Sequence, residues 1–208
     1  MTDTTHNFRD GAGPVPAHRH PNGWGWVADT AHVDDTAYVG GEARIYGQAR
    51  VRDEAVVSGQ AWVYGQAVVS GQAGVGGEAR VGGQARVRDK AWVGDKARVC
   101  DEAWVCDKAR VGGEALVGGK AWVYGQAVVG GKAWVGGEAR IYGQAVVCDK
   151  AVIRDKAWVY GQARVGGEAV VSGEALVGGE ARVCGKAWVD GKAWVCGQAW
   201  VGGEAVRS

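Results

Sequence analysis

One period constrains this chain more than any other feature. From Val27 to Val201 every sixth residue is Val or Ile, thirty positions without a miss, and an alanine stands four residues after each, from Ala31 to Ala205. The second residue after each aliphatic is only ever Gly or Asp, and the third is Thr, Glu, Gln or Lys. The unit is V-x-[GD]-[EQKT]-A-x, with no insertion anywhere. A chain with one Phe and one Met cannot pack a conventional core of large side chains. Its interior must be narrow and lined by Val and Ala. The 37 glycines fall in strict register, which marks a repeat architecture and not low complexity.

Alanine and valine lie two residues apart, so on a strand they share one face while the residue between them points outward. The following x-[GD]-[EQKT] must then turn, and Gly and Asp are residues that tolerate turn and left-handed backbone. Strand and turn alternating every six residues predict a parallel β-solenoid.

Charges set the number of hexads per coil. Every eighteenth residue gives Glu102, Lys120, Glu138, Lys156, Glu174, Lys192, and a second row gives Glu78, Lys96, Glu114, Lys132, Lys150, Glu168, Lys186, Glu204. Opposite charges stacked on neighbouring strands attract. A third row carries Tyr124, Tyr142, Tyr160 beside Gln126, Gln144, Gln162. The expectation is an all-β, three-faced parallel β-helix of about ten 18-residue coils, about 48 Å long at the usual strand spacing.

Residues 1–23 lie outside the register and residues 24–208 carry the repeat. Pro14, Pro16, Pro21 and several glycines predict a loose, irregular extension, with His18-Arg19-His20 as solvated tail residues. Asn22-Gly23-Trp24-Gly25-Trp26 is expected to cover the open end of the first coil, because a bare solenoid end exposes strand edges. No cap is visible at the C-terminal end. Met1 to Asp10 lacks the apolar stretch of a secretory signal, and nothing approaches ~18 consecutive apolar residues, so a cytoplasmic protein without a membrane span is expected.

V-x-G-x-A-x hexads in threes resemble the left-handed parallel β-helix of hexapeptide-repeat proteins. Trp26-Val27-Ala28-Asp29-Thr30-Ala31, Ile45-Tyr46-Gly47-Gln48-Ala49 and Val63-Tyr64-Gly65-Gln66-Ala67 are similar to units of the bacterial YdcK-like β-solenoid group. The resemblance spans about residues 24 to 205 and implies left-handed coiling. Some hexapeptide-repeat proteins are trimeric acyltransferases using acetyl-CoA or acyl-carrier protein, with a histidine base on a loop inserted between coils. Here the Gly or Asp follows the aliphatic residue one position later than in the usual pattern, and no loop is inserted.

The chemistry-bearing residues argue against an enzyme. The four histidines, His6, His18, His20 and His32, all precede the third hexad, and a general base must reach the proton it removes. Cys100, Cys106, Cys148, Cys184 and Cys196 each directly follow a valine, and none stacks on another in adjacent coils. Cys148 and Cys184 share a row two coils apart, about 9.6 Å, too far for a disulfide. No cofactor, metal or catalytic residue is expected. With 24 basic against 23 acidic residues, net +1, there is no broad basic field for nucleic acid or anionic membrane. Sugar binding on aromatic platforms is a weaker possibility.

The outward strand position is unusual. It holds ten tryptophans, nine arginines between Arg44 and Arg182, and several Val and Leu. Trp could stack on Arg of the next coil, as Trp62 on Arg44 and Arg80. Alternatively the aromatic rows form an assembly face, since soluble monomers rarely expose this much ordered apolar surface. The least charged row is the candidate face: Trp104, Trp122, Tyr124, Tyr142, Trp158, Tyr160 and Trp194. The leading expectation is a non-enzymatic scaffold that self-associates into a homo-oligomer, a trimer or filament, through this row or through an uncapped C-terminal end. The alternative is an acetyl-CoA-type acyltransferase acting at a trimer interface.

Overall fold

A computed structural model describes residues 4–203. Residues 204–208, which include Glu204, Ala205 and the expected open C-terminal end, lie outside the described residues. Each hexad contributes a two-residue strand made of the outward residue and the valine, and each strand pairs in parallel with the one eighteen residues on, as in Trp104↔Trp122 and Val105↔Val123. Three hexads therefore make one coil, as the charge rows indicated. Three sheets result, one of twelve strands and two of ten, forming a solenoid of about ten coils. The first face carries Trp26 through Trp188, the second His32 through Trp194, and the third Tyr38 through Trp200. No described helix is long and apolar enough to cross a membrane.

The core is the predicted one. Val or Ile and the following Ala are fully buried along nearly the whole axis, from Val39 to Ala181. At the turns, every Gly or Asp from Gly47 to Gly197 has φ between 55° and 72°. Here the requirement for these two residue types is physical. A Cβ on Gly131 would lie 2.6 Å from the backbone nitrogen of Asp149 in the next coil. Aspartate tolerates the left-handed region and uses its side chain there. The carboxylates of Asp53, Asp95, Asp101, Asp107 and Asp149 each accept the backbone N–H eighteen residues on, at 2.8–2.9 Å.

The charge rows read the register correctly but close few rungs. Lys132 reaches Glu114 at 3.4 Å and Lys150 reaches Glu168 at 2.9 Å, so the two adjacent lysines turn away from each other. The row from Glu102 to Lys192 forms no ion pair among the described residues. These side chains are exposed, where Coulomb attraction barely exceeds the entropy of holding them.

The N-terminal segment differs from the loose extension expected. Strands β1 (Thr5–Asn7) and β2 (Pro14–Arg19) form an antiparallel hairpin, and β2 adds antiparallel to β3 (Trp26–Ala28). The prolines fit because a missing N–H costs nothing where the partner has run out. Pro16 lies opposite Asp29, just past β3, and needs only its carbonyl there, which accepts the Asp29 N–H at 3.0 Å. Phe8 is buried at 1% exposure and stacks on Tyr46, fastening the hairpin to the second coil. His20 is also buried, so it is not a solvated tail residue, whereas His18 is solvent-exposed as expected, on strand β2 with Asp29 at 2.8 Å. Asn22, Gly23 and Gly25 then cross the end of the first coil: the Val39 N–H donates to the Asn22 carbonyl, and the Gly25 N–H to the Val39 carbonyl. A Cβ at Gly25 would lie 2.3 Å from a Val39 methyl carbon, so this crossing needs glycine.

Candidate assembly face

Strand register alone brings the seven aromatic residues to the second face. The tryptophans open strands at Trp104, Trp122, Trp158 and Trp194, and Tyr124, Tyr142 and Tyr160 directly follow the strands that begin at Trp122, Arg140 and Trp158. Outward side chains repeat about every 4.8 Å along a parallel sheet, which favours parallel stacking of like rings. Trp104 and Trp122 stack at 5.0 Å with planes 3° apart. Tyr124 stacks on Tyr142 at 5.0 Å and Tyr142 on Tyr160 at 5.5 Å. Edge contacts Trp122–Tyr124 and Tyr142–Trp158 join the two ladders. Six of the seven residues therefore form one continuous mesh. Trp194 stands apart, two coils beyond Trp158 with Leu176 between, and is 69% exposed.

Arginine terminates the tryptophan stacks. Arg86 and Arg88 lie over Trp104 at 4.7 and 4.6 Å, and Arg140 lies between Trp122 and Trp158 at 5.9 and 5.0 Å. Glycine ends the tyrosine ladder. A Cβ at Gly178 would be 2.1 Å from the Tyr160 ring, so the ring lies directly over that backbone. Trp104, Trp158 and the three tyrosines are thus half-buried by their own neighbours, while Trp122 is 41% exposed. Burial pushes the Tyr124 and Tyr142 hydroxyls above the ordinary tyrosine range. The stacking reading of the outward rows is thus observed here: the rings and arginines satisfy one another along one continuous aromatic strip.

The other chemistry-bearing groups are dispersed or engaged. Cys100 and Cys106 thiols are pushed up to about 11, by burial first and then by neighbouring aspartates, so they stay protonated and poor nucleophiles near neutrality. The five cysteines are free. Asp89, Cys106 and Asp107 bring donor atoms within 4.8 Å of one another, but both carboxylates already accept backbone N–H groups of the next coil. The histidines all sit at the N-terminal end: His32 beside Asp34 at 3.2 Å, and His6 stacked on Trp26 at 4.2 Å.

One constellation escaped the sequence reading. Arg9 and Arg19 of the hairpin converge with Arg44 and Arg80 around Trp26 and Trp62 on the first face, lining a groove of about 410 Å³. The Arg44–Trp62–Arg80 row was legible at the 18-residue spacing. Arg9 and Arg19 carry no periodic signal, because they lie in the segment outside the repeat. No protein-family model matches the chain, and a search of curated proteins finds no relative.

Proposed function

We propose that the chain is a non-enzymatic structural solenoid that self-associates laterally through the second-face aromatic mesh, with a second copy of the same chain as partner. The observation that carries this reading is the locked mesh of Trp104, Trp122, Tyr124, Tyr142, Trp158 and Tyr160. Rings already held in one arrangement lose little rotamer freedom on binding, which removes a main cost of association. Tryptophan, tyrosine and arginine are also the residues that most often anchor interfaces. Kinship with hexapeptide-repeat, YdcK-like solenoids, with left-handed coiling, belongs to the same proposal. It is supported by the unbroken hexad and by three hexads per coil.

The test is mass per particle by light scattering on the purified protein. Wild type is expected above the 21.7 kDa of one chain, and Trp122→Lys/Trp158→Lys is expected to return to it. Trp134→Lys, equally exposed but on the first face, should leave the assembly intact. A wild-type monomer, or a double variant of unchanged mass, removes this face as the interface.

A further inference from the structure

We infer that the groove between the hairpin and the first face is a binding site for a small ligand carrying more than one phosphoryl group. Four guanidinium groups, from Arg9, Arg19, Arg44 and Arg80, line it against two carboxylates, Glu42 and Glu78. Among the described residues none of these arginines has a carboxylate within ion-pair distance. Elsewhere on the solenoid arginines meet at most in pairs from the faces themselves, as Arg86 and Arg88 do over Trp104 and Arg164 beside Arg182 on neighbouring strands. Only here does a second layer of chain, the hairpin, bring arginines against a row that already carries them.

The heads are held in place before any ligand arrives. Arg19 Nη1 donates to the Trp24 carbonyl at 2.6 Å and the Gly41 carbonyl at 3.0 Å, and its guanidinium lies 4.0 Å over Trp26. Arg44 and Arg80 clamp Trp62 from the coils on either side of it, at 5.3 and 4.6 Å. Fixed guanidinium forks suit phosphoryl oxygens, which they meet with paired N–H donors. Arg44 and Arg80 stand two coils apart, about 9.6 Å along the axis, more than one phosphate bridges. Hence more than one phosphoryl group is called for.

Two further observations agree. His6 lines the groove, and its Nε2 is buried with no hydrogen-bond partner. The His6 imidazole is held below its ordinary range, by burial first and then by the charges of Arg44, Arg19 and Arg9. The tryptophan faces are already occupied, Trp26 by His6 and Arg19 and Trp62 by Arg44 and Arg80, so recognition would rest on charge and not on base stacking. The alternating Lys and Glu of later coils continue no basic track, which points to a small ligand and not a polymer.

The experiment is calorimetric titration of the full chain at low ionic strength with pyrophosphate, with inorganic phosphate, and with a single-stranded oligonucleotide, alongside the His6 ring proton shift followed against pH. The expected result is saturable one-to-one binding of pyrophosphate, tighter than inorganic phosphate, with the His6 midpoint moving up as bound charge offsets the arginines. Arg44→Gln and Arg80→Gln should each weaken binding at least about tenfold, the loss of charge-assisted hydrogen bonds. Arg80 is exposed and lies outside the hairpin, so its variant keeps the test open if Arg44→Gln loosens the fold. Arg164→Gln on the third face should change nothing. Absence of saturable heat at millimolar pyrophosphate, an equal loss in Arg164→Gln, or tighter binding of the oligonucleotide overturns the proposal.

Discussion

The first coil and the coils stacked on it are written in the same hexad, yet they turn differently. From Gly47 onward every Gly or Asp of the repeat adopts positive φ, whereas Asp29, Asp35 and Gly41 do not. In the regular coils the residue after that Gly or Asp donates its N–H to the turn carbonyl of the next coil, as Gln48 does to Gly65 at 2.7 Å. In the first coil the Thr36 hydroxyl takes that role, donating to the Asp53 carbonyl at 2.6 Å, and the Asp34 carboxylate accepts the Asp53 N–H. Thr30 and Thr36 are the only threonines in the repeat. The left-handed turn is thus not a property of the hexad alone. It appears at every described turn that has a coil on its N-terminal side, and the first coil, which has the hairpin there instead, turns with side chains.

This contrast has an energetic counterpart, and two truncations separate its halves. Phe8→Ala removes the largest buried side chain of the hairpin, at a cost of about 3–5 kcal/mol. Ile153→Ala opens a void in the middle of the narrow core, at about 2–5 kcal/mol. Because a solenoid is held by nearest-neighbour contacts, each loss should stay local. Hydrogen exchange is expected to show the amides of Ala17 and His20 opening in the Phe8 variant while those of Ala151 and Val171, beside Ile153, stay protected, and the reverse in the Ile153 variant. Uniform loss of protection in both would mean that the hairpin and coils form one cooperative unit.

The same distinction explains what was legible in the sequence. Core, register and turn sites follow from a period of six and a charge row of eighteen, because each depends on residues that repeat. Val39, Gly131 and the Tyr124–Tyr142–Tyr160 ladder were all readable in this way. The hairpin was not. Its prolines read as strand-breaking, and only the antiparallel register shows that Pro16 needs no N–H where it sits. The groove of Arg9, Arg19, Arg44 and Arg80 was hidden for the same reason: half its members lie outside the period. The aromatic mesh lies between these cases. Its rows were visible, but whether Arg140 would cap Trp122 and Trp158 required side-chain geometry.

What the next coil adds to the demand for glycine is sharpened by comparing two glycines. Gly131 and Gly191 have nearly equal φ, 63° and 67°, but a Cβ on Gly131 meets the Asp149 backbone at 2.6 Å while one on Gly191 meets nothing within 4 Å. Gly191→Ala should cost only the conformational penalty of a left-handed alanine, about 1–2 kcal/mol. Gly131→Ala adds a backbone collision across coils and should cost more, roughly 2–4 kcal/mol in all. Denaturant unfolding of the two variants gives the difference. Equal costs would mean that the next coil gives way to a Cβ at the turn, and that only the left-handed backbone demands glycine at Gly131.

The smallest effect discriminates between the two kinds of turn residue in the regular coils. Where Gly131 offers only backbone, Asp149 adds a carboxylate that accepts the Gly167 N–H at 2.8 Å and the Cys148 thiol at 3.4 Å. These bonds, the backbone one first, hold the Asp149 carboxyl below its ordinary 3.8. A carboxyl depressed on folding contributes stability that is fully present above 3.8 and is lost as pH falls through the lower folded value. The Gly167 amide shift should therefore titrate with a midpoint below 3.8, and Asp149→Asn should abolish that titration while leaving the solenoid folded. The stability difference between wild type and Asp149→Asn should shrink toward zero over the same acid range, since a protonated aspartate and an asparagine offer the turn similar neutral acceptors. A Gly167 midpoint at the ordinary value would reduce Asp149 to a residue chosen only for its tolerance of left-handed backbone, doing no more at this turn than glycine does.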